Sequence, residues 1–153
     1  MKSVNKAYNL SGHLQLFAVP LYNIFSLEGQ TLTLKNSVDV YELVCAKDSL
    51  QIAIPPESSK HGNIFRPKIS GFVPGRTLEN DLILEEMSPV RFMVILMNAD
   101  GNFTRIGETT LGLSFQYEYN TSPDPSGTSG YSFSFSGALH TGQRPVLWPF
   151  LIN

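Results

Sequence analysis

The sequence predicts a mainly β protein: an antiparallel β-sandwich or incomplete barrel with one flanking α-helix. Three observations lead there. Aromatic residues and serines alternate strictly from Tyr131 to Ser136, and alternation is what one buried sheet face produces. The unbroken apolar run Phe92 to Met97 is followed by Asn98-Ala99-Asp100-Gly101-Asn102, residues that tolerate the positive φ of a tight turn. Arg76 to Ser88 carries apolar residues at helical rather than strand spacing. The 153 residues suit a single domain over 1–153. A chain of this size buries roughly 70% of its unfolded surface, so it needs no disulfide or metal to fold.

Taken in order, Leu14 to Leu27 holds two apolar pieces parted by Pro20. Thr31 to Leu34, Val38 to Val44 and Leu50 to Ile54 are strand candidates, the last ended by Pro55-Pro56. Glu57 to Asn63 reads as a polar loop. Ile64 to Val73 contains Pro67, which cannot donate to a ladder, so a strand there is expected at a sheet edge. Within Arg76 to Ser88, Leu78, Leu82, Ile83 and Met87 lie towards one side of a 3.6-residue helix. Thr77 can cap it, Glu79 and Asp81 suit the positive end of its dipole, and Pro89 discourages continuation. A strand through Leu82-Ile83-Leu84 is the alternative.

Phe92 to Met97 suits a strand covered on both faces, with Phe103 to Ile106 returning beside it. Leu113 to Tyr119 and Tyr131 to Ser136 read as an antiparallel pair with one aromatic and one hydroxyl-rich face. Asn120 to Gly130, rich in Ser, Thr, Pro and Gly, is a long surface loop between them. This loop and Glu57 to Asn63 have few apolar anchors. Both are expected to be mobile in an isolated subunit and to become ordered on assembly. The total is about eight or nine strands and one helix.

Composition narrows function by exclusion. Charged residues are 16% of the chain, against roughly 25% in an average soluble domain. A net charge of -2 argues against a protein that must neutralise many phosphates, and no sequence-specific nucleic acid is expected as a partner. No apolar run approaches the roughly 20 residues of a bilayer span, and no membrane partner is expected. Met1 to Ser11 is polar and lacks the apolar stretch of a signal peptide.

The search for chemistry finds no catalytic, cofactor-binding or metal-binding constellation. His13, His61 and His140 are far apart in sequence. Cys45, the single cysteine, follows Leu43 and Val44 in a strand, which suits a small buried hydrophobe better than a nucleophile. Glu85 and Glu86 are adjacent on the helix and diverge by about 100°, poor geometry for sharing a proton. The glycines match neither a phosphate loop nor a dinucleotide fingerprint. Asn9-Leu10-Ser11, Asn102-Phe103-Thr104 and Asn120-Thr121-Ser122 fit the glycosylation sequon, a short pattern that carries little without a secretory signal. The aromatic stripe Tyr117, Tyr119, Tyr131, Phe133 and Phe135 either lines the core or offers a carbohydrate- or peptide-binding face. Its strict alternation favours the core.

What remains is a distribution. From Thr109 to Gln143 there is no Lys or Arg, and Arg144 to Asn153 is strongly apolar after its arginine. Segment 144–153 either packs on its own domain or serves as a C-terminal docking arm on another subunit. In the second case Trp148 and Phe150 are the expected anchors, with Leu147 and Arg144 as further interface candidates. Charge is depleted and aromatics are enriched in the cores of interfaces.

The order of these features resembles small structural proteins of tailed bacteriophages and prophages, especially those of Bacteroidetes hosts. The matching pieces are Leu16-Phe17-Ala18-Val19-Pro20, the helix before Phe92 to Met97, and Asn98 to Asn102 leading into Arg105-Ile106-Gly107. Leu113 to Tyr119 and Gly130 to Gly137 complete the set. The resemblance implies a tail-tube or neck architecture in which sheets of neighbouring subunits join around an axis. It therefore implies a non-enzymatic virion subunit, made in the bacterial host cytoplasm. Its partners would be copies of itself and adjacent tail or neck proteins, and it would need no cofactor. No catalytic residue is carried over.

Overall fold

The computed structural model describes residues 1–4, 14–46, 49–98, 101–121 and 129–153. The architecture is mainly β with one helix, as the alternation predicts. In chain order the elements are β1 (Lys2–Val4), β2 (Leu14–Pro20), a 3-10 turn (Leu21–Asn23), β3 (Ile24–Glu28), β4 (Thr31–Leu34), β5 (Tyr41–Cys45) and β6 (Gln51–Ala53). Then come β7 (Pro56–Ser59), β8 (Gly62–Phe65), β9 (Lys68–Pro74), α1 (Leu78–Met87), β10 (Arg91–Met97), β11 (Phe103–Ile106), β12 (Leu113–Asn120), β13 (Gly130–Ser136) and β14 (Arg144–Ile152).

β10 is the hub. Along one edge it pairs with β2 from Phe92–Pro20 to Leu96–Leu16. Along the other it pairs with β12 at Arg91 and Phe92, and with β11 from Val94 to Met97. β11 and β12 therefore part company on one edge of a single strand, and the sheet branches. One arm runs β2–β5–β1, a second β11–β14–β4–β3, a third β12–β13–β9–β6. The third arm curls back to the first. The Ala46 amide donates to the Phe72 carbonyl at 2.8 Å, and the Phe72 amide donates to Ser49 Oγ at 3.2 Å. The result is an incomplete barrel with a second sheet laid against its outside.

The side-chain period of two divides β10 between two cores. Phe92, Val94 and Leu96 face the barrel interior, among Leu16, Leu43, Ile69, Phe115, Phe133 and Phe135. Met93 and Ile95 face the opposite way, onto Val19, Leu32, Leu34 and Val146. That explains the unbroken apolar run: every residue from Phe92 to Leu96 is buried. α1 sets Leu84 and Met87 into the barrel core. Thr77 caps it, its side chain accepting from the Asn80 amide at 3.0 Å.

Four expectations are corrected. Glu57 to Asn63 is not a loop but most of the β7–β8 hairpin, in register from Pro56–Phe65 to Ser59–Gly62. Backbone pairing needs no apolar side chains, and Gly62 sits at φ +108 just after the turn, a conformation that favours glycine. β9 is not an edge strand: it pairs with β13 on one side and β6 on the other, and Pro67 falls between β8 and β9. α1 buries Asn80, Leu84 and Met87, while Leu78 and Leu82 are 73% and 56% exposed. The strand count exceeds eight or nine because β1, β7, β8 and β14 are strands as well. Most of the expected loop Asn120 to Gly130, at residues 122–128, lies outside the described residues, as do Ala99 and Asp100 of the β10–β11 turn.

Polar groups fasten the connections. The buried Asn23 carboxamide donates to the carbonyls of Asn36 and Asp39 at 3.1 and 2.9 Å and accepts from the Asn36 amide at 3.0 Å. The buried Glu42 carboxylate accepts from Ser3 Oγ at 2.8 Å and Gln15 Nε2 at 2.6 Å, tying β1 and β2 to β5. Paired this way, buried polar groups avoid the penalty of an unmade hydrogen bond.

Candidate functional site

The residues singled out for chemistry are not brought together. Cys45 is fully buried, and burial pushes its thiol up to about 12, where almost none is thiolate at neutral pH. His61 and His140 are exposed, and His13 lies outside the described residues. Among the described residues no three His, Cys, Asp or Glu side chains form a group that could hold a metal, and no helix is long and apolar enough to cross a membrane. Glu86 pairs with Lys2, and that hydrogen bond holds its carboxyl below the usual range.

The aromatic stripe faces inward. Tyr131, Phe133 and Phe135 are at most 3% exposed, with Phe115 5.0 Å from Phe135 between ring centroids. Tyr117 and Tyr119 are half-buried. Gly71 makes room for Phe133: a Cβ there would lie 2.7 Å from the ring. The outward face of β12, β13 and β9 is the hydroxyl-rich one, a shallow depression lined by Ser70, Gln116, Glu118, Ser132 and Ser134.

β14 is the informative element. It lies between β4 and β11, so segment 144–153 is a strand of its own domain's sheet. Val146, Trp148 and Phe150 pack into the second core, with Trp148 4.9 Å from Phe17 and 5.0 Å from Phe150 between centroids. Leu147, Leu151 and Ile152 are instead 56%, 57% and 52% exposed. Register places Pro145 beside Thr104, Leu147 beside Thr31 and Leu151 beside Thr33. Phe25 of β3 is 54% exposed on the same sheet. Of the interface candidates, then, Trp148 and Phe150 pack within the chain, whereas Leu147 and Arg144 are exposed. Leu151, Ile152 and Phe25 belong with them and were not singled out by the sequence.

Arg144 stands directly opposite Arg105 on β11, a like-charge pair that weakens this end of the ladder. The Arg105 guanidinium donates to the Gly107 carbonyl at 2.5 Å. Burial lowers its pKa, Glu108 opposes that shift and Arg144 adds to it. Beside this end of β14 is a groove of about 450 Å³, lined by Gln30, Asn98, Asn102, Thr104, Leu147 and Trp148. None of these six is charged.

At the far end of β13, Tyr131 donates to Asp81 of α1 and Arg76 Nε reaches the same carboxylate at 3.2 Å. The Tyr131 bond, more than the Arg76 contacts, holds the Asp81 carboxyl below its ordinary range. Arg76 also lies over the Tyr119 ring, 4.5 Å from its centroid. These contacts fasten the first turns of α1 to the hairpin.

Comparison with family models, with curated proteins and with solved structures gives no match for this chain.

Proposed function

We propose that this chain is a non-enzymatic virion subunit that joins copies of itself into rings in a phage tail tube or neck, at the head–tail connection or tail terminator. The observation that carries the reading is the β14–β4–β3 sheet, with Phe25, Leu147, Leu151 and Ile152 all more than half exposed. Soluble monomers rarely leave contiguous apolar surface of more than a few hundred Å² uncovered. Among the described residues β1, β3 and β6 each pair along one edge only, and unpaired edges are of the kind that template pairing with another chain. The sequence resemblance to phage structural proteins points the same way, with adjacent tail or neck proteins as further partners.

Sedimentation and negative-stain microscopy test it. Concentration-dependent rings support the reading, and a monomer at every concentration overturns it. A second reading, a monomeric module for a carbohydrate or peptide, is favoured by the uncharged groove beside Trp148. Titration of neutral oligosaccharides and peptides against the fluorescence of this sole tryptophan addresses that reading directly.

A further inference from the structure

We propose that subunits join head to tail, with α1 of one copy seated against the β6 edge and the β7–β8 hairpin of the next. The inference rests on the assembly reading above and names the surfaces that meet.

α1 offers an acidic face with an apolar stripe. Leu78 and Leu82, one turn apart, are 73% and 56% exposed, and Glu79 and Glu85 stand exposed beside them. No Lys or Arg occurs from Thr77 to Val90. The neighbouring cations Lys2 and Arg76 are bonded to Glu86 and Asp81. No ion pair forms at Glu79 or Glu85 among the described residues. Two leucines at i and i+4 on the outside of a helix gain nothing in water, where the same positions ordinarily carry charge.

The β6 region offers the complement. Gln51, Ile52 and Ala53 are all exposed, and among the described residues β6 is paired on one edge only. Lys68 at the start of β9 is exposed beside Ala53 and lines one depression with Gln51 and Ile52; Lys60 is exposed at the hairpin turn, while Arg66 is matched by Glu57. The hairpin meets the body through the Phe65–Leu139 bridge, and the Arg66 amide to Pro55 carbonyl bond closes its base. A two-stranded ribbon this exposed is marginal alone and gains burial from a neighbour. Both surfaces thus carry apolar side chains rimmed by charge, of opposite sign.

The two surfaces lie apart on the subunit. β6 pairs with Lys68 to Ser70 at the start of β9, whereas α1 follows the other end of that strand at Pro74. At about 3.3 Å per residue the two ends of β9 are roughly 20 Å apart. Each copy therefore presents one surface of each kind at separate places. Joined head to tail, as proposed, such copies make a heterologous contact, which closes into a ring or continues as a filament according to the rotation between copies.

The test uses two charge-reversed full-length chains, Glu79→Lys with Glu85→Lys and Lys60→Glu with Lys68→Glu. All four side chains are exposed, so melting temperatures should match the wild type. Each variant alone should associate at least about tenfold more weakly, because attraction becomes repulsion. An equimolar mixture should recover assembly, since the reversed helix of one variant then meets the reversed hairpin surface of the other, and the two unaltered surfaces meet each other. If both variants assemble like the wild type, or the mixture recovers nothing, the α1–hairpin contact is overturned while assembly itself stands. If the wild type stays monomeric at its highest soluble concentration, the assembly reading falls and takes this contact with it.

Discussion

The β12–β13 hairpin and strand β14 are both built on a period of two, yet they meet water differently. In β13 every inward residue is aromatic and every outward one is serine, from Tyr131 to Ser136. In β14 the inward set is Val146, Trp148 and Phe150, and the outward set is Pro145, Leu147, Pro149 and Leu151. Each strand covers one side with the molecule's own core. Only β13 has an outer side suited to solvent. A strand apolar on both faces is at home when both are covered, as β10 is, and β14 is covered on one.

The contrast can be broken at its largest by removing residues 145–153. That takes β14 from between β4 and β11 and uncovers Phe17, Val19 and Leu32. The expected loss is several kcal/mol against a total stability of about 5–15 kcal/mol, read as a truncated chain that is insoluble or lacks a cooperative melt. A chain that melts like the wild type and remains monomeric would show that β14 serves a neighbour and not its own core.

Phe135→Ala comes next. The ring is fully buried against Phe92 and Phe115, so the cost should be about 3–5 kcal/mol, a melting temperature lower by roughly 10 °C. The matching change on β14, Leu147→Ser with Leu151→Ser, should alter stability by no more than about 0.5 kcal/mol and instead weaken self-association in sedimentation. Equal thermal losses in the two variants would erase the distinction between the faces.

The smallest effect concerns acid. Asp81 and Glu86 are held below their ordinary pKa, chiefly by the bonds from Tyr131 and Lys2. A carboxyl lowered on folding contributes stability above its unfolded pKa and loses it as pH falls through the folded value. Asp81→Asn with Glu86→Gln should therefore flatten the fall in melting temperature below about pH 4, leaving β14 unaffected because among the described residues no such pair anchors it. An unchanged acid limb would remove these contacts from the stability of α1.

Local signals made part of this fold legible. The β10–β11 turn, the β12–β13 alternation and the Thr77 cap each lie within a few residues of what they specify. β1 was invisible because Lys2-Ser3-Val4 is short and pairs in parallel with β5, some forty residues along the chain. Glu57 to Asn63 reads as a loop because backbone pairing leaves no hydrophobic pattern in Glu57-Ser58-Ser59. Leu78 and Leu82 looked like core, yet the Tyr131 and Arg76 bonds to Asp81 fasten α1 with Asn80, Leu84 and Met87 inward. Leu147, an interface candidate from composition, is exposed. Leu151 was not separated from Trp148 and Phe150, since a uniformly apolar segment hides its two faces until a register is known.

Because β10 forms a wall of both cores, neither can melt alone. Opening the barrel exposes Phe92 and Val94, and releasing the outer sheet exposes Met93 and Ile95, all from one stretch of backbone. The two halves are thereby coupled into one cooperative unit. The amide hydrogens of Met93 to Ile95, bonded within the ladder and shielded on both sides, should exchange with solvent only through global unfolding.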